Sequence, residues 1–361
     1  MPLGVSYLVS TRMAATAITV SHDNLELFST RLLLASGVIA EHADIVAKSL
    51  VAANLRGVDS HGVQLLVYYL HQIVAKNMLI DSVGEIATES GATMAYDALN
   101  GLGAVTAARC CEHANRLAAS HGMGMVTVKN ANHFGACAFW AQRLSAAGNI
   151  GIVVCNASPL VAPWQGKEVR FGTNPICMAV PGGKFLLDMA TTTVAANRIY
   201  KAVTNQETSI PQGWALDSAG RPTTDPKAAL AGGFVMPLGG YKGYGLAILV
   251  EILCAVLGGG AMSTELGGIR LLDRPMNASH MFLSIAVNRF LPGGEFEPRM
   301  AKLVALLKSV EPAAGFDEVL VAGEPEERIE QHRLANGIPI ETGVWDKLCE
   351  QATRLAVPLP V

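Results

Sequence analysis

The sequence predicts an α/β fold, or an α+β one if the helices gather at the ends of the chain. Three observations point there. Apolar residues recur at helical spacing over 24–73. Runs rich in Val and Ile, MGMVTVKN (123–130), NIGIVVCNA (149–157) and HMFLSIAVN (280–288), read as strands. Helical periods return after residue 297. The chain has 361 residues, enough for two domains and a large core, and it carries no internal repeat or low-complexity linker.

The elements follow in order. Ser21 is placed to cap a helix over 24–35, with Leu25, Phe28, Leu32 and Leu33 on one face and Gly37 closing it. A second helix spans 41–55, with Ile45, Val46, Ser49, Leu50 and Ala53 near one face. A third starts at Ser60 and carries Leu66, Tyr69, Leu70 and Ile73. The texture changes near Val83, where EIATESGATMAYDALN reads as strand and turn. Then come an alanine-rich helix over 105–121, the strand at 123–130, a helix over 134–147, and strands over 149–157 and 184–190. A helix over 242–257 precedes the strand at 280–288, and helices over 298–309, 325–337 and 344–355 end the chain. Neither terminal group of helices has enough apolar surface for a core of its own. They are expected to join as one discontinuous helical domain, 19–82 with 318–361, beside a sheet domain at 83–317. Residues 1–18 read as a loose leader.

Composition narrows the partners. Half the residues are hydrophobic and 16% are charged, with a formal net charge of −3 and no basic block. Nucleic acid and anionic membrane surfaces want clustered Lys and Arg, so neither is expected. The longest apolar run, 245–260, contains Glu251 and is shorter than the ~20 residues a membrane span needs. LGVSYLV is too short for a signal core and has no basic flank. The seven cysteines, at 110, 111, 137, 155, 177, 254 and 349, form no CxxC. They read as free thiols in a reducing cytoplasm. No H-E-x-x-H occurs, and no metal is expected.

Five stretches could carry chemistry. GLGAVT at Gly101 starts like a dinucleotide fingerprint, but Thr106 stands where the third glycine belongs. It reads as a turn before a helix, so any nucleotide is bound by something other than a Rossmann loop. In RGVDSHGVQLLVYY, Ser60 is placed as an N-cap and His61 in the first helical turn, where the dipole disfavours imidazolium. Such a histidine either moves a proton or sits idle in a capping turn. In VKNANHFGACAFWA, His133 lies in a loop beyond a strand end. In PLGGYKGYGLAI, Lys242 sits among glycines at a helix start, a plausible anion site. LDMATTT places Asp188, Thr191 and Thr192 at a strand end, where Asp188 could orient a histidine, bond a ribose hydroxyl or cap a turn.

The order DSHG, NANHFG, FGTNP, LDMATT, PTTDP, GGYKGYGL, VAGEPEER and NGIPI resembles the malate/L-lactate dehydrogenase type 2 family over roughly 20–348. That family includes ureidoglycolate dehydrogenase, diketogulonate reductase, sulfolactate dehydrogenase and Δ1-piperideine-2-carboxylate reductase. The resemblance implies an NAD(P)-dependent dehydrogenase acting on CH–OH donors. Its cofactor would lie on a mostly antiparallel, non-Rossmann sheet beside a split helical domain. It implies a homodimer with the active site at the interface. Ser60, His61 and His133 match the family's catalytic positions. Ala157, Ser158, Asp188, Met189, Ala190, Lys242, Gly243, Gly323 and Glu324 match its cofactor-contacting segments. The implied reaction moves a hydride between nicotinamide, as NAD or NADP, and a small 2-hydroxy acid. A cyclic imine reductase is the alternative enzyme, and a non-catalytic nucleotide sensor the alternative of another class. One position departs: Leu65 stands where the family carries a carboxylate-binding arginine. Arg198, Arg170 or a partner's arginine would have to replace it, or the substrate differs.

Overall fold

In the computed structural model, residues 17–204 and 206–360 are described. Residues 1–16, most of the expected leader, lie outside the described residues, and Ala17 and Ile18 open strand β1 (Ala17–Val20). Ser21 caps α1 (His22–Ala35), its side chain accepting the Asn24 N–H at 3.3 Å. Leu25, Phe28, Leu32 and Leu33 are buried along one face, as their spacing requires. α2 (Ala40–Leu55) buries Val46, Leu50 and Val51 against it.

The third helix departs from the expectation. Asp59–His61 form a single 3-10 turn, and α3 (Gln64–Val74) begins only after it. Ser60 is not its cap. Asn54, at the end of α2, takes that role: Oδ1 accepts the Val63 N–H at 2.8 Å, and Nδ2 donates to Asp59 Oδ1 at 2.7 Å. Gly62 leaves the space this needs, since a Cβ there would lie 2.1 Å from Asn54 Oδ1.

The middle of the chain runs β2 (Glu85–Ser90), β3 (Thr93–Asp97), α4 (Gly103–His121), β4 (Met123–Ala131), α5 (Cys137–Ser145), β5 (Asn149–Cys155), β6 (Ile176–Ala179) and β7 (Leu186–Met189). α5 starts three residues later than its apolar pattern suggests because Gly135 has φ +82°, outside helical space. α6 (Ala196–Thr204), β8 (Ala215–Leu216), β9 (Pro222–Thr223), α7 (Pro226–Leu230) and β10 (Phe234–Val235) follow. Next come α8 (Tyr241–Glu251), a π turn at Ile252–Val256, and β11 (Ala278–Ala286). The chain ends with α9 (Phe296–Lys308), α10 (Glu324–Asn336), β12 (Ile338–Glu341) and α11 (Thr342–Arg354).

A seven-stranded sheet in the order β2-β3-β4-β11-β5-β6-β7 organises the molecule. Its pairs are antiparallel except β3 with β4. α4 and α5 cover one face, where Leu117, Trp140 and Phe282 are fully buried. α8 and its π turn cover the other, packing Val250 and Cys254 on Val154 and Met281. β8, β9 and β10 form a small separate sheet with its own core around Val161, Ile199 and Val235. β1 pairs with β12, α11 packs on α3 and α10 on α2, so the two ends of the described chain meet. Among the described residues, no helix is long and apolar enough to cross a membrane.

Candidate active site

His61 ends the 3-10 turn that Asn54 holds. Arg333 of α10 clamps the same turn from outside, donating to both Asp59 carboxylate oxygens at 2.6 and 3.0 Å. The Ser60 Oγ lies 2.9 Å from His61 Nδ1. The serine therefore fixes the ring of its neighbour rather than starting a helix.

His133 follows the end of β4. The GLG stretch that imitates a dinucleotide loop positions it. Asn132 Nδ2 donates to Asn100 Oδ1 at 2.9 Å and to the Gly101 carbonyl at 2.9 Å. A Cβ at Gly103 would meet the Asn132 and His133 carbonyl oxygens at 2.3 and 2.4 Å. Gly103 thus lets the start of α4 lie directly against the histidine's backbone.

The two histidines meet. Their rings are nearly parallel, 23° apart, with centroids separated by 5.8 Å, and each remains partly open to solvent. The Gly135 N–H donates to His133 Nδ1 at 3.1 Å, and the Tyr69 hydroxyl lies 2.8 Å from the same nitrogen. A backbone N–H can only donate, so Nδ1 is an acceptor and the neutral ring carries its proton on Nε2. Desolvation, then the nearby His61, His280 and Arg270, push the His133 pKa down to about 3. Desolvation also lowers the pKa of His61. Both rings are neutral at neutral pH.

The residues matched to cofactor segments gather along β7 and the start of α8. Asp188 Oδ2 accepts the Ala138 N–H at 2.8 Å, at the positive end of α5. Its pKa is pushed up to about 6, chiefly by desolvation, with the Ala138 N–H and the Arg56 charge opposing the rise. Leu186 donates its N–H to the Ala322 carbonyl at 3.0 Å, which seats Gly323 (φ +98°) beside β7. Glu324 is committed elsewhere: its carboxylate accepts from Lys308 at 2.8 Å and from the Val321 N–H at 3.0 Å. The loop ahead of α8 docks on Thr191, whose carbonyl accepts the Leu238 N–H at 3.0 Å. A Cβ on Gly243 would lie 2.5 Å from that carbonyl, so Gly243 is needed for the docking, and Lys242 beside it is exposed. Ala157 donates its N–H to Asn174 Oδ1 at 3.1 Å, and the Ser158 hydroxyl donates to the Gly267 carbonyl at 2.6 Å.

Leu65 is a core residue, 5% exposed. Arg170 is paired with Glu168 at 2.6 Å, and Arg198 lies exposed on α6. Arg270, which spacing in the sequence does not single out, is the arginine whose charge acts on His133. The sequence marks Tyr69 only as an apolar face position, and its hydroxyl carries no local signal. His280, buried edge-on against Phe134 at 4.3 Å, is likewise marked by the sequence only as part of a strand. A separate cavity of about 460 Å³, lined by Asn115, Asn149, Asn288 and Arg289, opens at the other end of β5 and holds no histidine or carboxylate. Among the described residues, no group of three or more His, Cys, Asp or Glu side chains is arranged to hold a metal ion.

The profile of the malate/L-lactate dehydrogenase family matches residues 20–349. The chain is 35% identical to the malate dehydrogenase of Pyrococcus abyssi over 349 residues, covering 94% of this chain and 96% of that protein. It is 31% identical to the ureidoglycolate dehydrogenase (NAD(+)) of Escherichia coli O157:H7, covering 92% and 95%. The solved sulfolactate dehydrogenase of Methanocaldococcus jannaschii superposes with a TM-score of 0.89 at 35% identity, covering 95% and 98%.

Proposed function

The chain belongs to the malate/L-lactate dehydrogenase family and is an oxidoreductase, and from that footing we propose that it moves a hydride between NAD or NADP and a small 2-hydroxy acid. The observation that carries this is the His61–His133 pair, two neutral imidazoles 5.8 Å apart and partly open to solvent. Such a pair can hold one substrate oxygen and exchange its proton. A nicotinamide ring, when bound, supplies the hydride donor or acceptor at its C4 carbon.

The two histidines divide the work. His133 offers Nε2–H as a hydrogen-bond donor to the substrate oxygen, because its Nδ1 is already taken by Gly135 and Tyr69. His61 exchanges the proton. With Nδ1–H donating to Ser60 Oγ, its Nε2 lone pair accepts the hydroxyl proton as the C–H hydride departs. In reduction the His61 imidazolium returns that proton to the new alkoxide. Ser60 keeps the ring in the tautomer that leaves Nε2 open.

The residues present suit a dinucleotide. Gly239 (φ +57°) and Gly240 (φ +68°) shape the turn at the start of α8, where the Pro237 carbonyl accepts the Gly240 N–H at 3.1 Å, and Lys242 adds a positive charge for phosphate. Asp188, Met189, Ala190 and Gly323 would hold it along β7, with Ala157 and Ser158 towards the ring. Glu324 would serve by shaping the Gly323 turn, since its carboxylate is engaged.

The same reading takes 19–82 with 318–361 as a helical domain and 83–317 as the sheet domain, supported by the pairing of β1 with β12. It makes the protein a homodimer with the active site at the interface. Supporting the dimer, Leu303, Leu306, Leu307 and Val310 form an exposed apolar stripe along and just beyond α9. The seven free thiols suit a reducing cytoplasm.

Steady-state turnover of NAD and NADP with a panel of 2-hydroxy and 2-oxo acids tests the function. Wild type should turn over at least one of them. His61→Ala and His133→Ala should each lose roughly 100-fold or more in kcat while still binding cofactor. Wild-type rates in both variants would refute the mechanism.

A further inference from the structure

Arg270 stands exposed on the loop between α8 and β11. Its guanidinium carbon lies 5.3 Å from the Tyr68 ring centroid and 5.0 Å from that of Tyr200, so two aromatic rings hold the cation. The loop itself is tied to α3. Gln72 Nε2 shares its two N–H donors among the carbonyls of Gly268 (3.2 Å), Ile269 (3.0 Å) and Leu271 (2.6 Å), and Asn77 Nδ2 donates to that of Leu272 (3.0 Å). Ser158 binds the Gly267 carbonyl from the other side. One side-chain amide thus gathers three carbonyls on either side of Arg270. The arginine is built into place.

Its place is against α3, the helix whose Tyr69 reaches the histidine pair. Tyr68 adjoins Tyr69, whose hydroxyl is 2.8 Å from His133 Nδ1. The Arg270 charge reaches His133 and lowers its proton affinity. A rigid, exposed guanidinium beside an acid/base pair has the shape for one ligand chemistry, a planar carboxylate taken in bidentate fashion.

We infer that Arg270, held by Tyr68, Tyr200 and the Gln72-bound loop, is the carboxylate-binding and specificity-determining residue for the acid substrate. This rests on the 2-hydroxy acid reading above. With the carboxylate on Arg270, the neighbouring C–O carbon of a short acid falls towards the histidine pair. Acids with the carboxylate blocked, as esters or amides, lose that anchor.

The test uses the full-length protein and Arg270→Gln, with Arg270→Lys as the charge-preserving control. Pyruvate and oxaloacetate are the reducible probes, with methyl pyruvate as the blocked one and oxalate as the inert anion. For any acid that turns over, Arg270→Gln should raise KM about 10- to 100-fold, the range expected for one charge-assisted contact, and Arg270→Lys should recover part of it. NADH and NADPH dissociation constants should stay within about twofold of wild type, and methyl pyruvate kinetics should not change. An unchanged KM for the acids would overturn the inference. So would a loss that falls on cofactor affinity, which would make Arg270 a phosphate contact. If wild type reduces no acid at all, the dehydrogenase reading fails separately. Calorimetry of oxalate with the NADH-loaded protein then decides the inference alone: oxalate binding abolished in Arg270→Gln supports the carboxylate site, and no oxalate binding to wild type overturns it.

Discussion

At His133, one nitrogen sets the chemistry of the ring. The Gly135 N–H and the Tyr69 hydroxyl both converge on Nδ1, and burial keeps the ring neutral. Protonating it would place a second N–H against the Gly135 donor. Tyr69→Phe removes one of the two hydrogen bonds without changing the packed ring, so the fold should survive. Loss of a ring-orienting bond should lower kcat about 10-fold at unchanged cofactor affinity. An unchanged kcat would show that Tyr69 only packs. His61 carries the pH dependence. Its pKa lies below the usual 6.5, because burial penalises the charged form. Oxidation needs neutral His61, so its kcat/KM should rise with pH through that lowered pKa and then level. Reduction needs the imidazolium and should fall over the same range. A rise in the oxidation rate centred above 6.5 would contradict the assignment. Ser60 and His61 stand together in the sequence, and their partnership was legible there. The partnership with Tyr69 and Arg270 was not, because neither side chain is near either histidine along the chain.

Elements were legible where a long apolar period defined them. α1, α2, α4, β4, β5 and β11 lie close to their expected bounds. The start of α3 departs from its local pattern because its cap is Asn54, nine residues before the N–H it binds, and capping patterns in a sequence are local. The short pieces α6, β6, β8, β9 and β10 were missed, since two to nine residues amid Pro, Gly and Thr give no usable period. The GLG stretch is the turn before a helix that its sequence suggests, and its glycines serve the site by letting α4 approach His133. Glycines also decide how the cofactor segments dock. Gly323 combines φ +98° with a Cβ position 3.0 Å from Leu186 Cβ, on β7. Gly323→Ala should therefore cost about 1–3 kcal/mol of stability and weaken NAD(P)H binding, through strain and a displaced β7. Gly293 (φ +80°) has nothing within 4 Å of its Cβ position. Gly293→Ala carries the strain alone and should leave cofactor binding intact. Thermal melts and cofactor titrations separate the two. Equal cofactor affinity in both variants would argue against a role for the Gly323 turn.

Across the whole molecule, desolvated histidines link stability to pH. His133 and His280 both have folded pKa values pushed down to about 3, chiefly by desolvation, from the usual 6.5. The unfolded chain therefore takes up protons that the folded one refuses. Stability from these two groups is full above about 6.5 and is lost as pH falls towards about 3. Asp188, raised to about 6, works in the opposite sense, but it is a single group with an open face. Melting temperature should fall between pH 6.5 and pH 4. His280→Leu, which removes a titrating ring and the unpartnered buried Nδ1, should flatten that slope. A slope identical to wild type would show that His280 is not responsible. At this scale the sequence conveyed the mixed class and the family order of motifs. How the chain's ends meet, through β1 and β12, was not legible, because four-residue strands pair only by tertiary context. The most direct test of the central claim is the change in nicotinamide absorbance when the purified protein is given NAD or NADP with short 2-hydroxy acids, run beside His61→Ala. Reduction of the cofactor by wild type, falling roughly 100-fold or more in the variant, is the predicted result. Equal reduction by both, or none by wild type with any acid despite bound cofactor, would contradict it.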